Sequence, residues 1–170
     1  MKNIVLTGFM GTGKTTIGRV LAKALGRNLI DVDTEIEKDK GMKITEIFSS
    51  MGEAAFRDME TEMAGKISTL SNVVISTGGG IVLRRENIEL LRKNGIVVNL
   101  TAAPEIIYAR LSGSNDRPLL NVPDPLAKIR ELLDFRTPLY LNADIVIDTV
   151  DKTPILIAEE IIQSAKLIGR

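Results

Sequence analysis

Asn3-Ile4-Val5-Leu6-Thr7-Gly8-Phe9-Met10-Gly11-Thr12-Gly13-Lys14-Thr15-Thr16 is the stretch that decides the fold. Ile4-Val5-Leu6 is apolar and largely β-branched, which predicts a buried strand over 3–7. From Gly8 to Thr15 the chain fits G-x-x-x-x-G-K-[ST]. Glycines in that pattern let backbone N–H groups turn inward around phosphate oxygens. Lys14 brings a positive charge to the β- and γ-phosphates, and the Thr15 hydroxyl suits Mg²⁺. Residues 15–25 read as a helix, with Ile17, Val20, Leu21 and Leu25 on one face and Gly26 closing it. That helix would aim its positive N-terminal end at the same phosphates. The dinucleotide fingerprint G-x-G-x-x-G does not fit, because Thr16 stands where its third glycine belongs.

Outward from this loop, short β-branched runs alternate with longer amphipathic stretches. Further strands are predicted over 28–32, 73–76, 96–100 and 144–148. Thr34 and Glu37 have capping-box spacing. Helices are predicted over 45–51 and 53–70, broken at Gly52, with Phe56, Met59, Met63, Ile67 and Leu70 as the apolar stripe of the second. Others are expected over 86–93 and 104–111, and from Pro125 to a stop or kink near Pro138. A last helix starts at Thr153-Pro154. Residues 112–124 hold Gly113, Ser114, Asn115, Pro118 and Pro123 and read as an extended loop. Five apolar strands separated by helices imply an α/β fold with a parallel sheet covered on both faces.

Composition narrows the chemistry. The 170 residues are 44% hydrophobic and 26% charged, which suits one soluble domain with its own core. Cysteine and histidine are both absent. Disulfides, thiolate zinc sites, Ser-His-Asp triads and a histidine base are thereby excluded. Lys plus Arg number 22 and so do Asp plus Glu. That balance argues against a dedicated nucleic-acid binder. No apolar run approaches the roughly 20 residues that span a bilayer, and the N-terminus has no signal-peptide pattern, so a cytoplasmic protein is expected.

A phosphate loop says only that a nucleotide binds; the acceptor must come from elsewhere. Asp31 and Asp33 stand at the carboxyl end of the second strand, where ligands of open parallel sheets bind. One residue apart on a strand, they would point to opposite sides, one toward Mg²⁺ and one toward an acceptor hydroxyl. A capping Asp with a solvated neighbour is the plainer alternative. Arg57 and Glu60 share a helix face. They could form an ordinary surface ion pair of about 0.3–0.5 kcal/mol, or a guanidinium oriented to grip an anion. Gly78-Gly79-Gly80 follows the third strand, either as a flexible exit or as backbone that a ligand can touch. Arg117 could be a solvated loop charge, Arg136 a cation at a helix C-terminus, and Tyr140 a packing residue near Arg136.

Together these motifs resemble the shikimate kinase family over nearly the whole chain. The resemblance runs through Gly8 to Thr15, D-x-D at Asp31 to Asp33, and F-R-x-x-E at Phe56 to Glu60. It continues with G-G-G at Gly78 to Gly80, R-P-L-L at Arg117 to Leu120, and R-x-x-x-Y at Arg136 to Tyr140. It implies a three-layer α/β/α sandwich of the nucleoside monophosphate kinase type, with strand order 2-3-1-4-5. It implies one domain over 1–170, a substrate-binding region over about 33–60 and a lid over about 112–124. The implied reaction moves the γ-phosphoryl of ATP to the 3-hydroxyl of shikimate, giving ADP. By the same resemblance Gly11, Thr12, Gly13, Lys14, Thr15 and Thr16 hold ATP phosphates. Arg110 and Lys152 lie by the adenine, and Arg117 reaches the transferring phosphate from the lid. Thr15 and Asp31 hold Mg²⁺. Asp33, Arg57, Gly79 and Arg136 hold shikimate, with Lys14, Asp33 and Arg117 as the catalytic set. A monomer with no nucleic-acid or membrane partner is implied. A gluconate or nucleotide kinase of the same fold, and a non-catalytic nucleotide-binding module, are the rival readings.

Overall fold

The computed structural model describes residues 1–112 and 120–168. Strand β1 (Asn3–Gly8) is buried along its whole length. It lies at the centre of a five-stranded sheet of order β2-β3-β1-β4-β5. The others are β2 (Asn28–Asp31), β3 (Val73–Ser76), β4 (Gly95–Thr101) and β5 (Ile145–Asp148). Every pairing is parallel; β1 takes β3 on one side and β4 on the other. Parallel register puts the carboxyl ends of β1, β2 and β3 at one rim, which is where the loops after them meet.

The period of two along each strand divides the core. Val5, Ile75 and Val97 face one apolar layer, while Ile4, Leu6, Val74, Ile96 and Val98 face the other. The second layer is closed by α1 (Lys14–Leu25) and α7 (Pro154–Ile168). The first is closed by α2 (Val32–Lys40), α3 (Ile44–Ser68), α4 (Arg85–Arg92), α5 (Pro104–Leu111) and α6 (Pro125–Tyr140). The expected three-layer sandwich and strand order are both present. β5 departs from the expected two-sided burial. It is an edge strand whose Ile145 and Ile147 point in while Val146 and Asp148 point out.

Several expected boundaries move, each for a local reason. β2 ends at Asp31, not at residue 32, because Asp31 caps α2 by accepting from the Thr34 amide at 3.2 Å. The Thr34–Glu37 capping box therefore does not form. Glu37 instead accepts from the Ile44 amide and from Lys43. The break at Gly52 is present, at φ 84 and ψ 170 within α3. Phe56, Met63 and Ile67 are buried there, but Leu70 lies past the helix end and is exposed. A 3₁₀ turn, Ile81–Leu83, follows the glycine run where none was expected. α6 passes Pro138 and stops at Tyr140; proline supplies no amide for the preceding turn, and the helix closes two residues later. The Thr153 hydroxyl accepts from the Leu156 amide at 3.3 Å, as its capping position requires.

Candidate active site

The loop between β1 and α1 is held open by its own backbone. Gly11 and Gly13 adopt left-handed φ of 78 and 94, and Gly13 accepts the first amide of the helix, from Ile17 at 2.8 Å. The Thr12 hydroxyl donates to Phe9 O at 2.8 Å. The Lys14 ammonium reaches back along the loop and donates to Gly8 O at 2.8 Å and Phe9 O at 2.9 Å. These bonds wrap the loop about the lysine and present Thr15 and Thr16 at the helix N-terminus. A cavity of about 200 Å³ opens there, lined by Gly11, Gly13, Lys14, Thr15, Thr16 and Asp31 among others.

Beside Lys14 stands a cluster of oxygen donors. Thr15 Oγ1 donates to Asp31 Oδ2 at 3.1 Å and lies 3.4 Å from Ser76 Oγ. Register explains it, since Asp31 pairs with Ser76 across β2 and β3. Hard oxygen ligands beside a phosphate cradle fit Mg²⁺, which keeps several waters and takes few protein ligands. Among the described residues no group of three or more His, Cys, Asp or Glu could hold a metal. Ser76 is a member of the oxygen cluster that the sequence reading missed.

A second, larger cavity of about 530 Å³ lies under α2 and α3. Asp33, Arg57, Glu60, Gly79 and Arg136 line it together, with Phe48 and Phe56 packed at 5.0 Å between ring centroids and tilted by 45°. Asp33 is not on a strand as expected but in the first turn of α2. Helical twist rather than strand alternation separates it from Asp31. Asp31 turns to Thr15, while Asp33 turns to the glycine run. Asp33 and Gly79 line both cavities.

Arg57 is not half of a surface pair. Its Nη1 donates to Glu60 Oε2 at 2.6 Å and its Nη2 to Glu53 Oε1 at 2.8 Å. Its guanidinium also stands over the Phe56 ring at 5.3 Å. Glu60 is 0% exposed. Burial pushes the Glu60 carboxyl up to about 7, against the pull of Arg57. For Arg57, burial works against the charge, but Glu60 and Glu53 outweigh it and its pKa rises. Glu53 was legible from its i,i+4 spacing and was passed over. Arg136 is likewise buried, with its guanidinium 5.8 Å from the centre of the Phe9 ring, so it is no mere helix-end cation. Its Nε and Glu60 Oε1 are buried polar atoms with no hydrogen-bond partner among the described residues. Buried polar atoms are normally paired, so these two are exceptions.

The glycine run is a tight fit rather than a flexible exit. A methyl on Gly78 would meet Asp33 Oδ1 at 2.8 Å and Glu60 Oε1 at 3.0 Å, and one on Gly80 would overlap the Arg57 guanidinium. Tyr140, expected only to pack, donates its hydroxyl to Gly79 O at 2.5 Å.

On the far side of the phosphate loop, Arg110 donates to Gly11 O at 3.2 Å and to Thr149 Oγ1 at 3.1 Å. It clasps the loop to the segment after β5. Lys152, three residues beyond Thr149, is paired with Glu160 at 2.7 Å. Arg117 and residues 113–119 of the expected lid lie outside the described residues.

A phosphate loop at the rim of a 2-3-1-4-5 sheet, joined to an arginine-lined cavity, defines a P-loop kinase of small molecules. Residues 10–166 match the family described as Shikimate kinase. The shikimate kinase of Caldanaerobacter subterraneus subsp. tengcongensis is 53% identical, with all of both chains covered. That of Thermodesulfovibrio yellowstonii is 52% identical over 96% of this chain and 94% of its own. The structure of shikimate kinase from Acinetobacter baumannii in complex with shikimate superposes with a TM-score of 0.94 at 40% identity. It covers 100% of this chain and 95% of that one. The chain belongs to the shikimate kinase family.

Proposed function

We propose that the two joined cavities carry out the reaction of this family, the ATP-dependent phosphorylation of shikimate at its 3-hydroxyl. The observation that carries the assignment of parts is that Asp33 and Gly79 line both cavities. An acceptor in the larger one would present a hydroxyl to a phosphate in the smaller one. In this reading Gly11 to Thr16 hold the ATP phosphates, with the Lys14 charge on the β- and γ-groups. Arg57 and Arg136 hold the shikimate carboxylate; a planar guanidinium matches carboxylate geometry. The Gly79 backbone supports the same substrate.

The acceptor oxygen forms the new bond to the γ-phosphorus as the bond to the bridging oxygen of ADP breaks. Asp33 accepts the hydrogen bond of the attacking hydroxyl and receives its proton late, as the bond to phosphorus completes. The transition state is loose, so Asp33 contributes more by positioning than by taking the proton. Thr15 and, through water, Asp31 would hold Mg²⁺, which when bound neutralises charge on the phosphates. Arg110 and Lys152 lie by the adenine. Arg117 reaches the transferring phosphate from a lid over about 112–124 and offsets its developing charge. Residues 1–170 act as one domain, with the substrate-binding region over about 33–60. A cytoplasmic monomer completes the reading; sedimentation of the purified chain tests that last part.

The test follows ADP release from Mg·ATP with shikimate, with gluconate, with nucleoside monophosphates and with none. Rapid release with shikimate alone, lost in Asp33→Asn, is expected. Equal release with another acceptor would overturn the substrate assignment. Loss in Asp33→Asn of ATP binding rather than of turnover would overturn the role given to Asp33.

A further inference from the structure

Three glycines in a row have no side chains by which the fold could hold them, yet Gly79 sits where position matters most. Its Cα faces the phosphate loop, where an added methyl would stand 3.2 Å from Met10 N and 3.5 Å from Gly8 O. Gly78 and Gly80 are tied by the turn that follows, through Ile81 N donating to Gly78 O at 3.3 Å and Leu83 N to Gly80 O at 3.0 Å. Gly79 O is tied from elsewhere in the chain, by the Tyr140 hydroxyl at 2.5 Å.

Tyr140 is the last residue of α6, is 4% exposed, and stands one helical turn after Arg136. The two side chains leave the same face of α6, and the Arg136 charge acts on the phenol. Burial pushes the phenol up to about 12, against the pull of Arg136, so it keeps its proton and its donor.

We infer that Tyr140 is a positioning residue for the acceptor: its hydroxyl clips the Gly79 backbone to the helix that carries Arg136, setting two walls of the acceptor cavity relative to each other. The inference rests on the reading that Gly79 and Arg136 hold shikimate. Tyr140 acts only through those neighbours. Tyr140 also lines a separate cavity of about 310 Å³ with Phe9 and Asn99.

The test is Tyr140→Phe, which removes one oxygen and leaves the ring in place. The shikimate KM should rise about two- to tenfold, the worth of a hydrogen bond between neutral groups, with the ATP KM unchanged and kcat falling far less. Arg136→Lys is measured alone and in combination. Because Tyr140→Phe misplaces the wall whose grip Arg136→Lys has already weakened, the combined rise in shikimate KM should fall short of the product of the two. An acceptor carrying a hydroxymethyl in place of the carboxylate gives a second readout. On it Tyr140→Phe should lose little kcat/KM, since Arg136 has no carboxylate to grip. If Arg136→Lys raises the shikimate KM and Tyr140→Phe does not, Tyr140 only packs and the inference fails. Equal penalties on both acceptors, or a loss shared by ATP and shikimate, would overturn it as well. If Arg136→Lys also leaves the shikimate KM alone, the acceptor assignment itself is wrong.

Discussion

Gly80→Ala isolates the fit between the glycine run and Arg57. Gly80 sits at φ −92 and ψ −3, a turn conformation open to any L residue, so alanine adds no backbone strain. It adds a methyl that overlaps Nη1 and Cζ of Arg57 and stands 2.6 Å from Nη2. Even Nη2 would have to retreat about 0.8 Å to reach ordinary contact at 3.4 Å. The end of an arginine can usually swing aside, but this one is buried and pinned by Glu60 at 2.6 Å and Glu53 at 2.8 Å. Moving it breaks the Glu60 bond and turns the guanidinium away from the cavity. Losing one charge-assisted contact to a carboxylate costs about 1.5–3 kcal/mol, or about 10- to 150-fold in shikimate KM. Stability suffers too, because Glu60 loses its partner. A stranded buried charge costs about 3–5 kcal/mol. Protonation limits that loss near neutral pH, since the Glu60 carboxyl already lies at about 7. The melting temperature should drop by roughly 3–10 °C at pH 8 and by less at pH 6. Coupled ADP release at varied shikimate and fixed saturating ATP gives the first number, and a thermal melt the second. A folded Gly80→Ala protein with wild-type shikimate KM would refute the argument that Arg57 is held for the acceptor.

Glu60 also makes stability depend on pH in a definite direction. Its folded pKa of about 7 lies above its ordinary 4.5, so folding takes up a proton, and stability falls as pH rises from 4.5 through 7. The span is on the order of 3 kcal/mol. Urea midpoints from pH 5 to 8 should fall in the native protein and stay flatter in Glu60→Gln; equal slopes would contradict this. Gly65→Ala lies within α3 with open space around the added methyl, and should raise stability by about 0.5–1 kcal/mol with kcat unchanged, read by melting and by ADP release. Lys14→Ala should abolish turnover while the chain stays folded by circular dichroism, because it removes both the loop's internal tether and its charge. Asp31→Asn should raise the Mg²⁺ concentration needed for half-maximal rate several-fold and leave the shikimate KM alone, as measured by Mg²⁺ titration of ADP release.

Local order carried far along this chain. The Ile4-Val5-Leu6 run, the glycine-lysine loop and the helix after it are decided within about fifteen residues, because phosphate loops need particular φ values at particular positions. The break at Gly52 and the cap at Thr153 were legible for the same reason. Motifs placed Arg57, Gly79, Asp33 and Arg136 among the candidates, but spacing alone left each with a plain alternative. Packing removed those alternatives for Arg57, Gly79 and Arg136, while the capping alternative for the aspartates holds in part, since Asp31 caps α2. Glu60 shares a helix face with Arg57 in any reading, yet only the fold shows that it is 0% exposed. That burial turns a weak surface pair into a pinned guanidinium.

Asp31 and Asp33 show where reading by period fails. Strand alternation put the two carboxylates of D-x-D on opposite sides of a strand, whereas the plainer alternative of a capping Asp holds for Asp31, which caps α2 and so ends the strand. Ser76 had no signal of its own; strand register alone brings it to Thr15. The Tyr140 hydroxyl meets Gly79 across 61 positions of sequence. By itself the sequence determined the phosphate loop, the alternation of strands and helices, and the kind of chemistry left open without cysteine or histidine. All of these depend on neighbours a few residues away. The tertiary structure decided which charges are buried, which carboxylate turns to which cavity, and what holds the glycine run. Those depend on desolvation and contact between distant segments, which no local pattern encodes.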